Sequence, residues 1–441
     1  MAEPVIQKIR MSGEAFGALH ALWCFLMRQP RLLRMVASVF RRWPIASRWA
    51  AVVAQREAVV AGLRRTASFS NTAHAPNLVA GEFSIGMQDG QKYRNDRRML
   101  EAMLLPARRL GPVGAVLARQ HLERLKASPS NGFDLVDDYL SPVAWRTLKR
   151  CFGRAADPLT AGDCGQKHPS AQQQHQCDQR AAEVEKQLLL ELRHVASHLV
   201  VGRVATPQVQ GRAESAGCAL NHRMTVHGAL VGDVMAPRLA ERGLRPAAPD
   251  LHRNAVGLMW VSHPVAVQAG VNLVLELLQR PALHEDLRAR VAQAGEAAWL
   301  QPELRSHLHD VVLELLRFRP PFPVVAREVP RATLFESGDD RPAPVGAGGS
   351  LKLLVIGAMF DPRALQRPDD FEPGAARWVD ADDRYLVFGH GQRRCPGHEH
   401  AMEILVSALV GLLMLPRPPR REGRGAQTYD GPVTDHLRLV F

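Results

Sequence analysis

At 441 residues the chain exceeds the usual size of a single-core domain, and its 46% hydrophobic content supplies ample material for a core. Lys and Arg number 56 against 44 Asp and Glu, a formal charge of +12, yet the arginines are scattered and aromatic residues make up only 6%. That pattern argues against a base-stacking nucleic-acid platform and for an acidic protein partner, while six dispersed cysteines exclude a disulfide framework.

Residues 1–66 read as an N-terminal helical segment broken at Pro30 and Pro44. The apolar run 16–27 contains His20 and is too short to cross a bilayer, so no integral membrane span and a cytoplasmic protein are expected. Residues 28–64 are basic and amphipathic, with Arg28, Arg31, Arg34, Arg41, Arg42 and Arg48. This is the pattern of a solvated helix face or of peripheral membrane contact. Ser, Asn, Gly and Pro mark 66–91 as a loop, and 92–104 as a helix with Tyr93 and Arg97 on one face. A helix over 133–153 precedes a Gly-, Gln- and His-rich stretch, 154–180. It holds Cys164, His168, His175 and Cys177, four potential zinc ligands at a spacing foreign to zinc fingers. A flexible insertion without metal is expected there.

Further on, 180–202 reads as a helix, 203–223 as a loop, and 224–250 as partly helical up to a Pro-rich break. Residues 251–280 are apolar all round, the mark of a buried helix ended by Pro281. A charged surface helix over 282–300 and another helix over 304–319 come next. Residues 323–335 and 351–358 suit strands joined by a Gly/Pro-rich turn, and 416–441 a loop with a final strand pair. The expected fold is therefore mainly α with a small β region.

Chemistry concentrates in Phe388-Gly-His-Gly-Gln-Arg-Arg-Cys-Pro-Gly397. Nearby cations and a helix N-terminus favour a cysteine thiolate, and the glycines let backbone approach a flat partner and aim amides at the sulfur. Such a thiolate is a known proximal haem ligand, tuned by hydrogen bonds to the sulfur. The pattern F-x-x-G-x-R-x-C-x-G is matched at Phe388, Gly391, Arg393, Cys395 and Gly397. On this stretch the chain resembles the haem-binding loop of the cytochrome P450 superfamily. The resemblance extends over roughly 67–441, a single catalytic domain with its motifs in order. It implies haem b held between the 251–280 helix and the 388–397 loop, with Cys395 as axial ligand. Tyr93, Arg97, Arg327 and Arg393 would serve the haem propionates, and Glu314 and Arg317 would lock to Arg377.

On the opposite side of the haem, the family's acid and threonine are replaced by Val261-Ser-His-Pro-Val265, and no Asp or Glu occurs from 251 to 275. Ser262, His263, Pro264 and Val265 are expected to face a bound oxidant, with a kink at Pro264 and His263 as proton carrier. The resemblance implies monooxygenation of a small secondary-metabolite substrate, with electrons from NAD(P)H through an acidic ferredoxin. Peroxide use or rearrangement without external electrons is the alternative, and a non-catalytic haem sensor a second.

Overall fold

The computed structural model describes residues 13–441 apart from 48, 67, 70–82, 85–86, 88, 129–130, 153–170, 202–205, 227, 337–341, 375–377, 380–383 and 424. The chain opens with helices α1 (Gly13–Arg28) and α2 (Pro30–Arg42), and Pro30 at the first turn of α2 needs no N–H partner. Strands β1 (Ile45–Ala46) and β2 (Ala50–Val53) come next, then α3 (Arg56–Arg64). These strands were not expected from the sequence. β2 pairs in parallel with β7 (Ser350–Leu353), whose other edge carries β4 (Val325–Glu328). The boundary drawn at residue 66 thus has no counterpart in the hydrogen bonding, because β2 completes a sheet with a partner some three hundred residues away.

Helix α4 (Gln91–Met103) matches the expected segment, and α5 (Ala107–Ala127) succeeds it. The single helix expected over 133–153 is three pieces: β3 (Gly132–Asp134), a wide helical turn Leu135–Leu140, and α6 (Ser141–Phe152). Asp134 causes the break. Its carboxylate accepts from the N–H groups of Val136 and Asp137, capping the helical turn, while the strand pairs with β10 (Val433–Val440). Of the expected insertion over 154–180, residues 154–170, with Cys164 and His168, lie outside the described residues. From Ala171 onward the chain is helix α7 (Ala171–Val201), a correction to that expectation. The loop expected over 203–223 is corrected too, since Pro207–Val226 forms α8. Its buried stripe, Val209, Ala213, Ala216 and Leu220, has helical spacing but small side chains, so the surrounding Gly and Ser concealed it.

After α9 (Gly228–Glu241) comes α10 (Ala248–Leu277), the central helix, which packs against α4, α6, α7, α8, α9 and α12 (Pro302–Phe318). It is long and apolar enough to span a bilayer, but its apolar window is mostly buried in the fold. The helix continues through Pro264, the position of the expected kink. Burial of most of its residues outweighs the roughly 3 kcal/mol a mid-helix proline costs. Next come α11 (Pro281–Ala294), the hairpin β5 (Thr333–Glu336) and β6 (Pro342–Val345), and β7. Residues Val355–Ala358, expected as strand, form the short helix α13. Helix α14 (His398–Leu413) lies on α5, and β8 (Arg420–Arg421), β9 (Gln427–Asp430) and β10 close the chain in the expected strand pairing.

Candidate functional site

The cysteine loop leads into α14, for which Gly397 is the N-cap. Gly389 and Gly391 adopt φ of +73° and +66°, left-handed values that favour glycine. The Cys395 N–H donates to Phe388 O at 2.8 Å and the Arg394 N–H to Gly391 O at 3.0 Å, closing the loop on itself. Three further contacts from α3 and α4 brace it. Arg64 of α3 donates to His390 Nε2, Tyr93 of α4 donates to Gln392 O at 3.1 Å, and Arg97 donates to Arg394 O at 2.5 Å. The guanidinium of Arg393 stacks 4.1 Å over the Tyr93 ring and is paired with Asp89 at 2.7 Å. Tyr93, expected at the propionates, thus spends its hydroxyl on the loop backbone, and Arg393 is already neutralised by an acid.

Cys395 faces a cavity of about 480 Å³, within the range of small-molecule and cofactor sites. Tyr93, Arg97, Arg327, Phe388, Arg393 and Gly397 line it, as the sequence suggested, together with Ser262 and Val265 from α10. The Gly397 N–H and the Arg97 and Arg394 charges favour a Cys395 thiolate, but burial is the larger influence and raises its pKa. The flanking cations alone therefore do not ionise this thiol, contrary to the expectation from the sequence. An iron would.

The residues present fit a haem. Arg327 is 8% exposed, bonds only to its neighbour's carbonyl, Ala326 O, and has no acid partner among the described residues. Burial, aided by Arg393, lowers its pKa to about 10. A buried unpaired guanidinium costs several kcal/mol, and a haem carboxylate is the kind of anion that would relieve it. The walls are otherwise apolar, with Leu100, Leu104, Val261, Ala266, Ala269 and Phe322 among them. Cys395 would hold the iron, and Arg97 and Arg327 the carboxylates.

Two expected site residues lie elsewhere. His263 and Pro264 are buried and do not line the cavity. The His263 Nε2 sits 3.1 Å from Ser141 Oγ and 3.2 Å from Ser141 O, and its ring meets Trp145 edge-on at 5.8 Å. A carbonyl only accepts, so Nε2 carries the proton. Burial pushes the pKa of His263 down to about 4, so it is neutral at pH 7 and oriented to join α10 to α6. One step along a helix turns the side chain by roughly 100°, so Ser262 takes the cavity and His263 the core.

Glu314 and Arg317 are fully buried and joined by bonds of 3.0 and 2.7 Å. Arg317 also donates to Met359 O, Pro368 O and Asp370 O, while Glu314 accepts from the Glu372 N–H and the Tyr385 hydroxyl. The pair fixes the segment that leads into the cysteine loop. Arg377, the proposed third member, lies outside the described residues, as do the side chains of His175 and Cys177.

His400 was not among the residues expected from the sequence. It lines the cavity one turn past Gly397, 6% exposed, with no hydrogen bond of normal geometry at either ring nitrogen. Burial lowers its pKa, the Leu105 carbonyl opposing. The signal was His398-Glu-His400, two histidines in the first turn of the helix after the cysteine.

The family model for cytochrome P450 matches residues 272–414. Pig (Sus scrofa) cytochrome P450 4A24 is 26% identical over 203 residues, 43% of this chain and 39% of that protein. The trans-cinnamate 4-monooxygenase of rice (Oryza sativa subsp. japonica) is 31% identical over 170 residues, 36% of this chain and 30% of that protein. The matching stretches thus span less than half the length of these curated relatives. The ligand-free structure of CYP164A2 from Mycobacterium smegmatis superposes with a TM-score of 0.70 at 18% identity, covering 97% of this chain and all of that one. Residues 272–414, which include the cysteine loop on the floor of the cavity, are thus similar to the cytochrome P450 family, and the fold around them is that of the solved cytochrome P450 structures.

Proposed function

We propose that this chain is a haem-thiolate monooxygenase for a small, apolar substrate of the secondary-metabolite kind, with electrons from NAD(P)H through an acidic ferredoxin-type protein. The observation that carries this reading is Cys395 at the floor of an apolar cavity, beside the Gly397 N–H and the unpaired Arg327. When bound, the haem supplies an iron able to activate an oxidant toward an unreactive C–H bond. The chain's own part is narrower. Cys395 and Gly397 set the sulfur's charge, Arg97 and Arg327 anchor the cofactor's acids, and the Leu, Val and Ala wall excludes water and orients an apolar substrate by shape. Ser262 is the one hydroxyl that α10 offers the cavity, so proton delivery falls to it and to bound water. The basic balance of the chain favours an acidic electron donor.

A second reading, peroxide as oxidant without external electrons, is favoured by one observation: the cavity face of α10 presents no titratable group among the described residues. The test is the haem-loaded chain, reduced and exposed to carbon monoxide, then assayed with each oxidant system. A thiolate-type spectrum lost in Cys395→Ala, with product formed only with NAD(P)H, reductase, ferredoxin and dioxygen, supports the first reading. Product with hydrogen peroxide alone selects the second. A thiolate spectrum retained in Cys395→Ala overturns both.

A further inference from the structure

His400 lines the cavity, yet the proposed function gives it no task. It is almost wholly buried, and neither ring nitrogen makes a hydrogen bond of normal geometry. Leaving a buried polar group unsatisfied is costly, and a leucine would fill the same wall without that penalty. Burial lowers the pKa of His400, the Leu105 carbonyl opposing, so the ring is neutral at pH 7. A neutral imidazole that turns its N–H toward that carbonyl keeps a lone pair on its other nitrogen, and such a nitrogen is a nucleophile.

The place of His400 along the wall sets what it can reach. Arg327 feels the charges of Tyr93 and Arg393, so with Arg97 it forms an anion-binding edge at the start of α4. Leu104, the C-cap of α4, lies seven residues beyond Arg97, about 10 Å along the helix axis. His400 sits at that far end, beside Leu105, in a stretch of wall made by Leu104, Ala401, Ile404 and Leu405. Haem b carries both carboxylates on one edge and its two vinyl groups away from it. A haem whose acids meet Arg97 and Arg327 therefore turns a vinyl-bearing, apolar edge toward the end of α4.

We propose that His400 is a covalent attachment site for the haem, through a bond from a ring nitrogen to a vinyl carbon. The inference rests on the haem reading of the cavity. In the step, the terminal vinyl carbon takes up a proton, the ring nitrogen bonds to the inner carbon, and the imidazolium so formed releases a proton. One C=C bond becomes single and one C–N bond forms. No electron is gained or lost, no oxidant is consumed, and the product keeps every atom of both partners. The bond ties the cofactor to α14 at the edge where the wall otherwise offers only apolar contacts, opposite the anchors at Arg97 and Arg327.

The test takes the haem-loaded chain, reduces it with dithionite, records the carbon monoxide spectrum and then extracts the protein with acidic butanone. Haem absorbance that stays with the protein is expected, with an intact mass equal to chain plus haem. His400→Leu should keep the thiolate-type spectrum and lose its haem to the solvent. Mesohaem, in which ethyl groups replace the vinyls, should give the same spectrum in the parent and be extracted completely, an arm that needs no variant to fold. Complete extraction of haem b from a parent with the thiolate-type spectrum overturns the proposal and leaves the proposed function standing. Haem retained by His400→Leu, or mesohaem retained by the parent, assigns the bond to another residue or another chemistry and overturns it too. A parent without the thiolate-type spectrum overturns the haem reading and this inference with it.

Discussion

The two walls of the cavity are built in opposite ways. On the cysteine side the loop is pinned at alternate positions, by Arg64 at the His390 side chain, Tyr93 at the Gln392 carbonyl and Arg97 at the Arg394 carbonyl, and the supporting segment hangs on Glu314 and Arg317. On the α10 side the wall is Leu258, Val261, Val265, Ala266 and Ala269, with Ser262 its one polar member, and the buried polar residues of the helix point away from the cavity. The first wall fixes one atom, the sulfur, where an error of a fraction of an ångström matters. The second fixes a shape and, in the function proposed above, leaves proton supply to a hydroxyl and solvent. In that reading chemistry is set by one side of the molecule and substrate fit by the other.

Perturbing each wall should show that difference. The largest effect is expected at Glu314→Ala, which strands Arg317 without its carboxylate in a fully buried site. Denaturant unfolding should reveal a loss of about 3–5 kcal/mol, together with poor haem retention. A loss below about 1 kcal/mol would mean the cysteine side is not held as described.

Acid should act next, and on the other wall. His263 has a folded pKa of about 4, below the ordinary 6.5, so its neutral form stabilises the fold above pH 6.5 and that contribution is lost as pH falls toward 4. The loss amounts to about 3 kcal/mol at the lower end. His263→Gln should flatten this part of the stability-versus-pH curve, measured by urea titration at each pH, and a curve identical to the parent's would contradict the buried placement.

Arg327→Leu comes third. Removing a buried cation without an acid partner should leave the haem-free chain at least as stable, yet weaken haem retention by about 1.5–3 kcal/mol, the range for a charge-assisted hydrogen bond. Haem transfer to apomyoglobin measures it, and unchanged retention would detach Arg327 from the cofactor. Smallest is Ser262→Ala, expected to slow turnover by about tenfold, or roughly 1.4 kcal/mol. His263→Gln should leave turnover at neutral pH nearly unchanged. The reverse order would return proton delivery to the histidine.

Much of the cysteine side was legible in the sequence because its constraints are local: left-handed glycines, a cysteine just before a helix N-terminus, a Glu and Arg one turn apart. Tyr93 and Arg97 were found for the same reason, though their partners proved to be loop carbonyls as well as the cavity. What was missed is non-local or rotational. The strand Ala50–Val53 has its partner at Ser350–Leu353, which no neighbouring residue announces. The small-residue stripe of α8 is helical only once Trp260 and α7 pack beside it. At Ser262 and His263 the sequence located the right turn of the helix but not which of two adjacent residues faced the cavity, since only packing against Ser141 and Trp145 sets that rotation.

Cys395 is the cavity's iron ligand in this account, although a second side chain able to bind iron, His400, lies in the same wall with no hydrogen bond of normal geometry at either ring nitrogen. Iron-edge X-ray absorption on the haem-loaded chain separates the two directly, because sulfur and imidazole nitrogen differ in scattering and in bond length. One sulfur bonded to the iron, present in the parent and in His400→Phe and missing in Cys395→Ala, is the predicted result. Nitrogen ligands alone in the parent, or a sulfur that survives Cys395→Ala, would contradict it.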